Sequence, residues 1–376
     1  MDFEPSDDQR LLLESVSRML TDNYSFAQRK TYIAQPEGWS PAIWSQFAEL
    51  GLLGLPFPEQ YGGYGGGAQE TMLVMQAFGK ALVVEPFFPT VVLGGTAVMT
   101  AGTAAQKQAI LPAIAEGSLK MAFAHSERQA RYDLNDIVTT AKRDGAAWIL
   151  DGSKTVVAHG DSADKLVVSA RTSGDRHDAD GITLFLVDTA AQGVARRGYV
   201  TRDETRAADV SLSNVRVTEV LGAVGKGLAI VEKIVEAGIA ATAAETVGAM
   251  EAMNDMTLEY SKTRVQFGQP IGTYQVVQHR LADMFMTQEQ GRSMAMLATM
   301  SLDNTDPVER AHDLAMAKVG VGQAGRYVSQ SAVQMHGGIG MTEEYAVGHY
   351  FRRCMVIERL FGDPAYYLNR LANEVA

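Results

Sequence analysis

At 376 residues the chain exceeds what one ordinary hydrophobic core accommodates, so two or three domains are expected. Its 44 acidic against 33 basic side chains give a net charge of -11, which argues against nucleic acid or an anionic membrane surface as the main partner, while leaving room for local basic pockets. The single cysteine, Cys354, cannot close an intrachain disulfide and reads as a buried, inert thiol; the acidic start MDFEPSDDQR reads as no secretory leader and no apolar run reaches the ~18 residues of a membrane span, so no membrane partner and a cytoplasmic location are expected.

The first third is helical in pattern. Ser6 followed by Gln9 in SDDQRLLLESVSRML makes a capping box ahead of leucines at helical spacing. In WSPAIWSQFAELGLLGL, Ser40 suits an N-cap and Pro41 the first helical position, where a missing N–H costs nothing. Further helices are expected near 69–81, 90–100 and 104–116, and PEQYGGYGGG between them reads as a flexible connection. From about Lys120 to Gly222 the period changes to short β-branched runs broken by Asp-Gly and other polar turns, which predicts an antiparallel β unit. After Gly225 the helical period returns, near 227–263, 274–303, 306–335, 342–357 and 364–374, the last opened by Asp363 and Pro364. The expected fold class is mostly α with a central β module: an N-terminal helical domain (1–118), a middle β-barrel or sandwich (119–222) and a C-terminal four-helix bundle (223–376).

Two C-terminal stretches are distinctive. YSKTRVQFGQPIGTYQVVQHRLADM closes one long helix at Phe267-Gly268 and starts another near Tyr274, and VQMHGGIGMTEEYAVGHYFRR breaks a second at Gly337, Gly338 and Gly340. On this helix–sheet–helix plan the pair resembles the acyl-CoA dehydrogenase family of FAD enzymes over essentially the whole chain. Within the family, MDFEPSDDQRLLLESVSRML and GHYFRRCMVIERLFGDPAYYLNRLA look most like the small-subunit type of pimeloyl-CoA dehydrogenase, which acts with a paired larger subunit. The resemblance implies a guanidinium at Arg264 against the FAD pyrophosphate, commonly a neighbouring subunit's, for which a planar, always charged fork is suited. It also implies an aromatic at Phe267 beside the adenosine half, and Gln275, Gln334, Gly337 and Gly338 close to the cofactor, glycine serving because a Cβ would hold the dinucleotide away. The bland reading of Arg264 is a surface pair with Glu259; His336, alone beside glycines, reads as a satisfied structural group.

In the β unit the family's hydroxyl after the first strand corresponds to Ser126 in AHSERQARYD, but Val156 and Ala158 in KTVVAHGDSAD stand where a Trp and a Thr usually hold the flavin ring. Arg128 and Arg131 read either as contacts for a CoA phosphate or a second substrate carboxylate, or as part of a solvated loop. Family chemistry needs a carboxylate base for the α-proton while FAD takes the β-hydride, the protein polarising the thioester. Many relatives carry a Glu where this chain has Phe361, in RLFGDPAYY, with Asp363 a helix cap; others carry the base on the first helix of the bundle, nearer Gly238. On that helix Glu236 lies beside Lys233 and Glu251 beside Asn254 and Asp255, as polar faces do, whereas Glu245 sits in a stripe of Gly238, Ala241, Thr242, Gly248, Ala249 and Ala252. Read as an isolated, desolvated carboxylate, Glu245 is the candidate base. The expected function is FAD-dependent α,β-dehydrogenation of an acyl-CoA with a dicarboxylyl, branched or cyclic acyl group, in a homo- or hetero-oligomer that passes electrons to electron-transfer flavoprotein or a similar acceptor. The alternatives are a non-catalytic subunit that completes the flavin site of a larger companion, and a flavin oxidase on the same fold. No metal is expected.

Overall fold

The computed structural model describes residues 6–375. In chain order it runs α1 (Asp7–Asn23), α2 (Phe26–Ile33), α3 (Pro41–Glu49), α4 (Ala68–Ala81), a π-helical stretch (Phe88–Gly95), α5 (Thr96–Ala101) and α6 (Ala104–Ala115). The strands follow: β1 (Met121–Ala124), β2 (Thr140–Asp144), β3 (Ala147–Ala158), β4 (Lys165–Arg171), β5 (Ile182–Asp188), β6 (Val194–Val200), β7 (Arg206–Val217) and β8 (Val220–Leu221). Last come α7 (Leu228–Thr263), a hairpin of β9 (Val265–Gln266) and β10 (Gln269–Pro270), α8 (Gln275–Ser301), α9 (Pro307–His336), α10 (Val347–Ile357) and α11 (Pro364–Val375). Two compact units result: one from the residues up to Thr31, Ala68–Val83 and Ile239 onward, the other from Tyr32–Gly67 and Val84–Gly238.

Capping fixes several helix starts where the sequence places them. Ser6 and Gln9 exchange the two bonds of a capping box, Ser40 Oγ accepts the Ile43 amide ahead of Pro41, and Asp363 Oδ1 accepts the Tyr366 amide. The segment expected to be a helix from residue 90 begins instead as the π-helical stretch. There the Thr90 hydroxyl exchanges hydrogen bonds of 3.2 Å with both the N–H and the C=O of Met121, tying the wide turn to β1. The glycine-rich stretch after Pro58 is not a flexible connection. Gly65 and Gly66 donate back to Phe57 and Leu55, and a Cβ at Gly63 would lie 2.0 Å from the Phe57 carbonyl oxygen.

The β unit is one sheet in the order β6-β7-β3-β2-β4-β5-β8, with β1 added on β4. It is mixed and not purely antiparallel as the turn-rich sequence suggests, because β1 and β2 both run parallel to β4, Met121 opposite Lys165 and Thr140 opposite Arg171. Leu150, Leu166, Val168, Phe185, Val210 and Val215, all fully buried, fill its core.

In the helical unit α4 and α7 meet backbone to backbone. A Cβ at Gly248 would lie 1.8 Å from the Gln76 carbonyl oxygen, and one at Gly79 would lie 1.9 Å from that of Glu245. Two helices approach this closely only where neither carries a side chain at the crossing. Around it Val247, Met250, Met253, Met284 and Val328 form the buried core. Gly248→Ala should therefore destabilise the protein by about 3 kcal/mol through overpacking, although alanine favours an unconstrained helix by about 1 kcal/mol. Chemical denaturation checks this, and an unchanged or raised midpoint would contradict the crossing.

Candidate functional site

The end of α7 forms the first corner of the site. Arg264 follows the helix and its carbonyl accepts the Ile271 amide, which closes the hairpin. Phe267 and Gly268 form the turn, both at positive φ (53° and 85°), as a two-residue hairpin loop of the twisted type requires. A phenylalanine in that conformation is strained, and its ring is 93% exposed, touching Tyr274 edge-on at 6.5 Å. Arg264 is exposed and makes no ion pair among the described residues; Glu259 bonds Lys262 instead, at 2.6 Å.

The second corner is the end of α9. Gln334 is exposed, α9 stops at His336, and Gly337 takes φ 63°, ψ -141°, which only glycine adopts without strain. A Cβ on Gly337 or Gly338 would meet nothing within 4 Å. Gly338 is thus open on the side where a larger residue would project. Gln275, the first residue of α8, is exposed as well.

An aromatic cluster joins these corners. Tyr260, one turn before Arg264, stacks on His336 with centroids 4.5 Å apart, and the Tyr345 hydroxyl lies 3.2 Å from His336 Nε2. His336 Nδ1 lies 2.8 Å from the Ala332 carbonyl, and burial holds the imidazole below its ordinary pKa. Both ring nitrogens are engaged, so His336 is the structural group its sequence context suggests, and it fastens the end of α9 to the end of α7.

Glu245 requires a correction. It is buried, but not isolated: Arg353 on α10 holds both carboxylate oxygens, Nε to Oε1 at 2.6 Å and Nη2 to Oε2 at 2.8 Å. Of the small residues beside it, Gly248 belongs to the α4–α7 crossing and Ala249 and Ala252 to the buried core, so these do not form a surface kept open for a ring or an acyl chain. The other carboxylates of α7 are paired in keeping with polar faces: Glu236 lies 4.0 Å from Lys233, and Glu251 accepts from Gln76 (2.5 Å) and Arg292 (2.6 Å). At the other expected base position, Phe361 sits at φ 60° with its carbonyl accepting the Tyr367 hydroxyl.

Beneath α10 lies a cavity of about 10 Å³, room for roughly one water, lined by Thr242, Thr246, Lys318, Cys354 and Glu358. Lys318 Nζ donates to the Ile357 carbonyl at 2.8 Å, and Glu358 is engaged by Arg326. Burial raises the Cys354 thiol to about 12, consistent with an inert cysteine.

On the β unit Ser126 is exposed, separated from β1 by His125, and its carbonyl accepts the Thr155 amide at 2.9 Å. The register of β3 against β7 slips between Lys154 and Val157, and Val156 protrudes at this bulge, 58% exposed with φ 53°. Arg128 and Arg131 are exposed and make no ion pair among the described residues. The residues at the two corners fit a bound dinucleotide: a guanidinium for a pyrophosphate, an aromatic ring for an adenine, amides, and bare backbone. The β face fits less well, since Ser126 offers a hydroxyl but Val156 and Ala158 offer neither ring nor hydroxyl.

Sequence models of the acyl-CoA dehydrogenase N-terminal, middle and C-terminal domains match residues 6–118, 122–215 and 225–376. The chain belongs to the acyl-CoA dehydrogenase family. It is 33% identical to the acyl-CoA dehydrogenase FadE12 of Mycobacterium tuberculosis, over 81% of this chain and 80% of that protein. Its fold matches butyryl-CoA dehydrogenase from Megasphaera elsdenii with a TM-score of 0.91 at 27% identity, covering 100% of both chains. It matches a chain of the ChsE4–ChsE5 complex from Mycobacterium tuberculosis with a TM-score of 0.88 at 25% identity, covering 100% of this chain and 99% of that one. Members of the family are FAD-dependent flavoproteins, oxidoreductases that act on CH–CH groups. Among the described residues no helix is long and apolar enough to cross a membrane.

Two outcomes follow from the buried charges of this acyl-CoA dehydrogenase fold. Glu245→Gln leaves the Arg353 guanidinium buried without a counter-charge and should cost about 3 kcal/mol, whereas replacing both, Glu245→Leu with Arg353→Met, should recover most of it. If the single substitution leaves the denaturation midpoint unchanged, the ion pair is not structural. Burial also pushes the Lys318 ammonium down to about 7, against the opposing pull of Glu358 and Asp363. Between about pH 7 and 10 the unfolded chain therefore binds a proton that the folded chain lacks, and stability rises with pH across that window. Lys318→Met should flatten the rise in denaturation midpoints measured from pH 7 to 10; an unaltered slope would contradict it.

Proposed function

We propose that this chain works in an oligomer that carries out FAD-dependent α,β-dehydrogenation of an acyl-CoA thioester. Support comes chiefly from the joined corners at the ends of α7 and α9: a guanidinium that makes no ion pair among the described residues, a phenyl ring in solvent, and a glycine pair on which a Cβ would meet no described atom within 4 Å. In this reading Arg264 binds the pyrophosphate of a neighbouring chain's FAD, Phe267 covers the adenosine half, and Gln275 and Gln334 supply hydrogen bonds. Gly337 and Gly338 let the cofactor approach the backbone, and Ser126 faces a flavin ring. Bound FAD supplies the acceptor for the hydride that leaves the β-carbon.

Glu245 is poorly suited to be the base in this reading, because Arg353 occupies both of its oxygens and removing that charge balance would disturb the core. Together with Phe361 and the absence of a ring at Val156, this favours a particular division of labour. The base comes from a companion chain of the same fold, and this chain completes the flavin site. The ChsE4–ChsE5 structure, a complex by its name, is a precedent for two such chains together. The acyl group is dicarboxylyl, branched or cyclic on the strength of the likeness to the pimeloyl-CoA dehydrogenase small subunit. The electron acceptor is electron-transfer flavoprotein or a protein of similar kind, and the location is cytoplasmic.

Gly338→Leu separates a cofactor role from a structural one. With nothing within 4 Å of the new side chain's Cβ, the unfolding midpoint should stay at the wild-type value. FAD affinity, titrated by flavin fluorescence on the purified chain and on the chain co-purified with a companion, should fall by about tenfold or more. Unchanged affinity in both preparations would remove the corner from the flavin site.

A further inference from the structure

The β unit holds a buried charged cluster that neither the α7–α9 corners nor the acyl chemistry uses. Lys154 Nζ, fully buried, donates to Glu127 Oε1 at 2.7 Å, to Ser169 Oγ at 3.0 Å and to the His125 carbonyl at 3.2 Å. Glu127 in turn accepts the amides of Val138 (2.9 Å) and Thr139 (3.1 Å), and His125 Nδ1 lies 2.9 Å from Ser169 Oγ. Burial draws the ammonium down to about 8; against the upward push of burial, Lys154 draws the Glu127 carboxyl down to about 2. Both therefore stay charged at neutral pH. Burial, helped by the Lys154 charge, lowers His125 to about 3 and keeps it neutral.

A buried ion pair adds little net stability over well-packed apolar residues, so its place in the fold is the more informative feature. His125, Ser126 and Glu127 are consecutive, and so are Lys154, Thr155 and Val156. Three bonds stitch the two segments together: Lys154 to His125, Lys154 to Glu127, and the Thr155 amide to the Ser126 carbonyl. Between the stitches, Ser126 and Val156 face solvent. Val156 is β-branched at φ 53°, a conformation that persists only where its surroundings over-determine it.

We propose that Lys154 is a positioning residue: with Glu127 it locks the Ser126 turn against the β3 bulge and so sets where the Ser126 hydroxyl meets the flavin. The lock stands on this geometry alone; its purpose rests on the reading that Ser126 faces a flavin ring. Among the described residues the Lys154–Glu127 pair is the charged group that bonds both segments, so a neutral replacement of the pair leaves the core filled while freeing the turn.

The test compares wild type, Ser126→Ala, the paired Glu127→Leu/Lys154→Met variant and the combination of all three. The paired variant removes both charges together, so neither is left buried alone. Two readouts are taken, amide exchange at Thr155 and FAD titration with the flavin absorption envelope, on the purified chain and on the chain co-purified with a companion. The lock predicts exchange at Thr155 about tenfold faster or more in the paired variant. Positioning predicts that Ser126→Ala and the paired variant each weaken FAD binding by about tenfold with the same spectral change, and that the triple variant is no worse than either. Thr155 exchange at the wild-type rate overturns the lock. Weakening by Ser126→Ala, but with the paired variant behaving as wild type or adding independently in the triple variant, overturns the positioning role while leaving Ser126 at the flavin. Ser126→Ala with wild-type affinity and spectrum, or no FAD binding in either preparation, overturns the Ser126 reading and the positioning role together, whatever the exchange rate.

Discussion

The helical unit depends on one close approach, the crossing of α4 and α7 at Gly79 and Gly248. Helices this near need bare backbone at the contact, and the small residues along the middle of α7 provide it. Glu245 sits at the crossing, its own carbonyl against Gly79, and its side chain turns into the bundle, where only a fixed cation makes a buried carboxylate tolerable. Arg353 is that cation. The constraint links three helices and bears on what Glu245 does: a carboxylate with both oxygens held by a guanidinium is poorly placed to collect a proton from a carbon acid.

What the bundle leaves outside its core carries the functional reading. A phenyl ring is 93% exposed at a hairpin tip, on a strained backbone. Gly338 likewise lacks a side chain where a Cβ would meet no described atom within 4 Å. Both features make sense when another molecule covers them, and Tyr260 stacked on His336 holds the two helix ends against each other. The division of labour proposed above joins two observations: an exposed corner at the ends of α7 and α9, and Phe361 and Gly238 at the positions where relatives carry a base.

Much of this was legible in the sequence, and the parts that were not share a cause. Local signals read correctly: the Ser6–Gln9 box, Ser40 before Pro41, Asp363 before Pro364, the change of period near Lys120, and the glycine break at Gly337. The pairings that failed join residues far apart in the chain. Glu245 and Arg353 are 108 positions apart and Lys154 and Glu127 are 27, so neither appears in a helical or strand period. The stripe around Glu245 was seen, but small residues permit a ligand and a neighbouring helix equally, and only α4 decides between them. The parallel placement of β1 and the π-helical stretch tied by Thr90 to Met121 likewise arise from contacts with partners that no local window contains. A lone lysine within the β-branched run GSKTVVA was the one trace of the buried pair.

The most direct measurement of the central claim is anaerobic reduction of bound FAD by a panel of acyl-CoA thioesters, followed by absorbance, with this chain alone and with a companion chain of the same family. The structural account predicts no bleaching by the chain alone and bleaching once the companion is present, with no loss of rate when Glu245→Gln is introduced in a background that still folds. Bleaching by the chain alone that disappears with Glu245→Gln would show that the carboxylate held by Arg353 is the base after all, and would contradict the account.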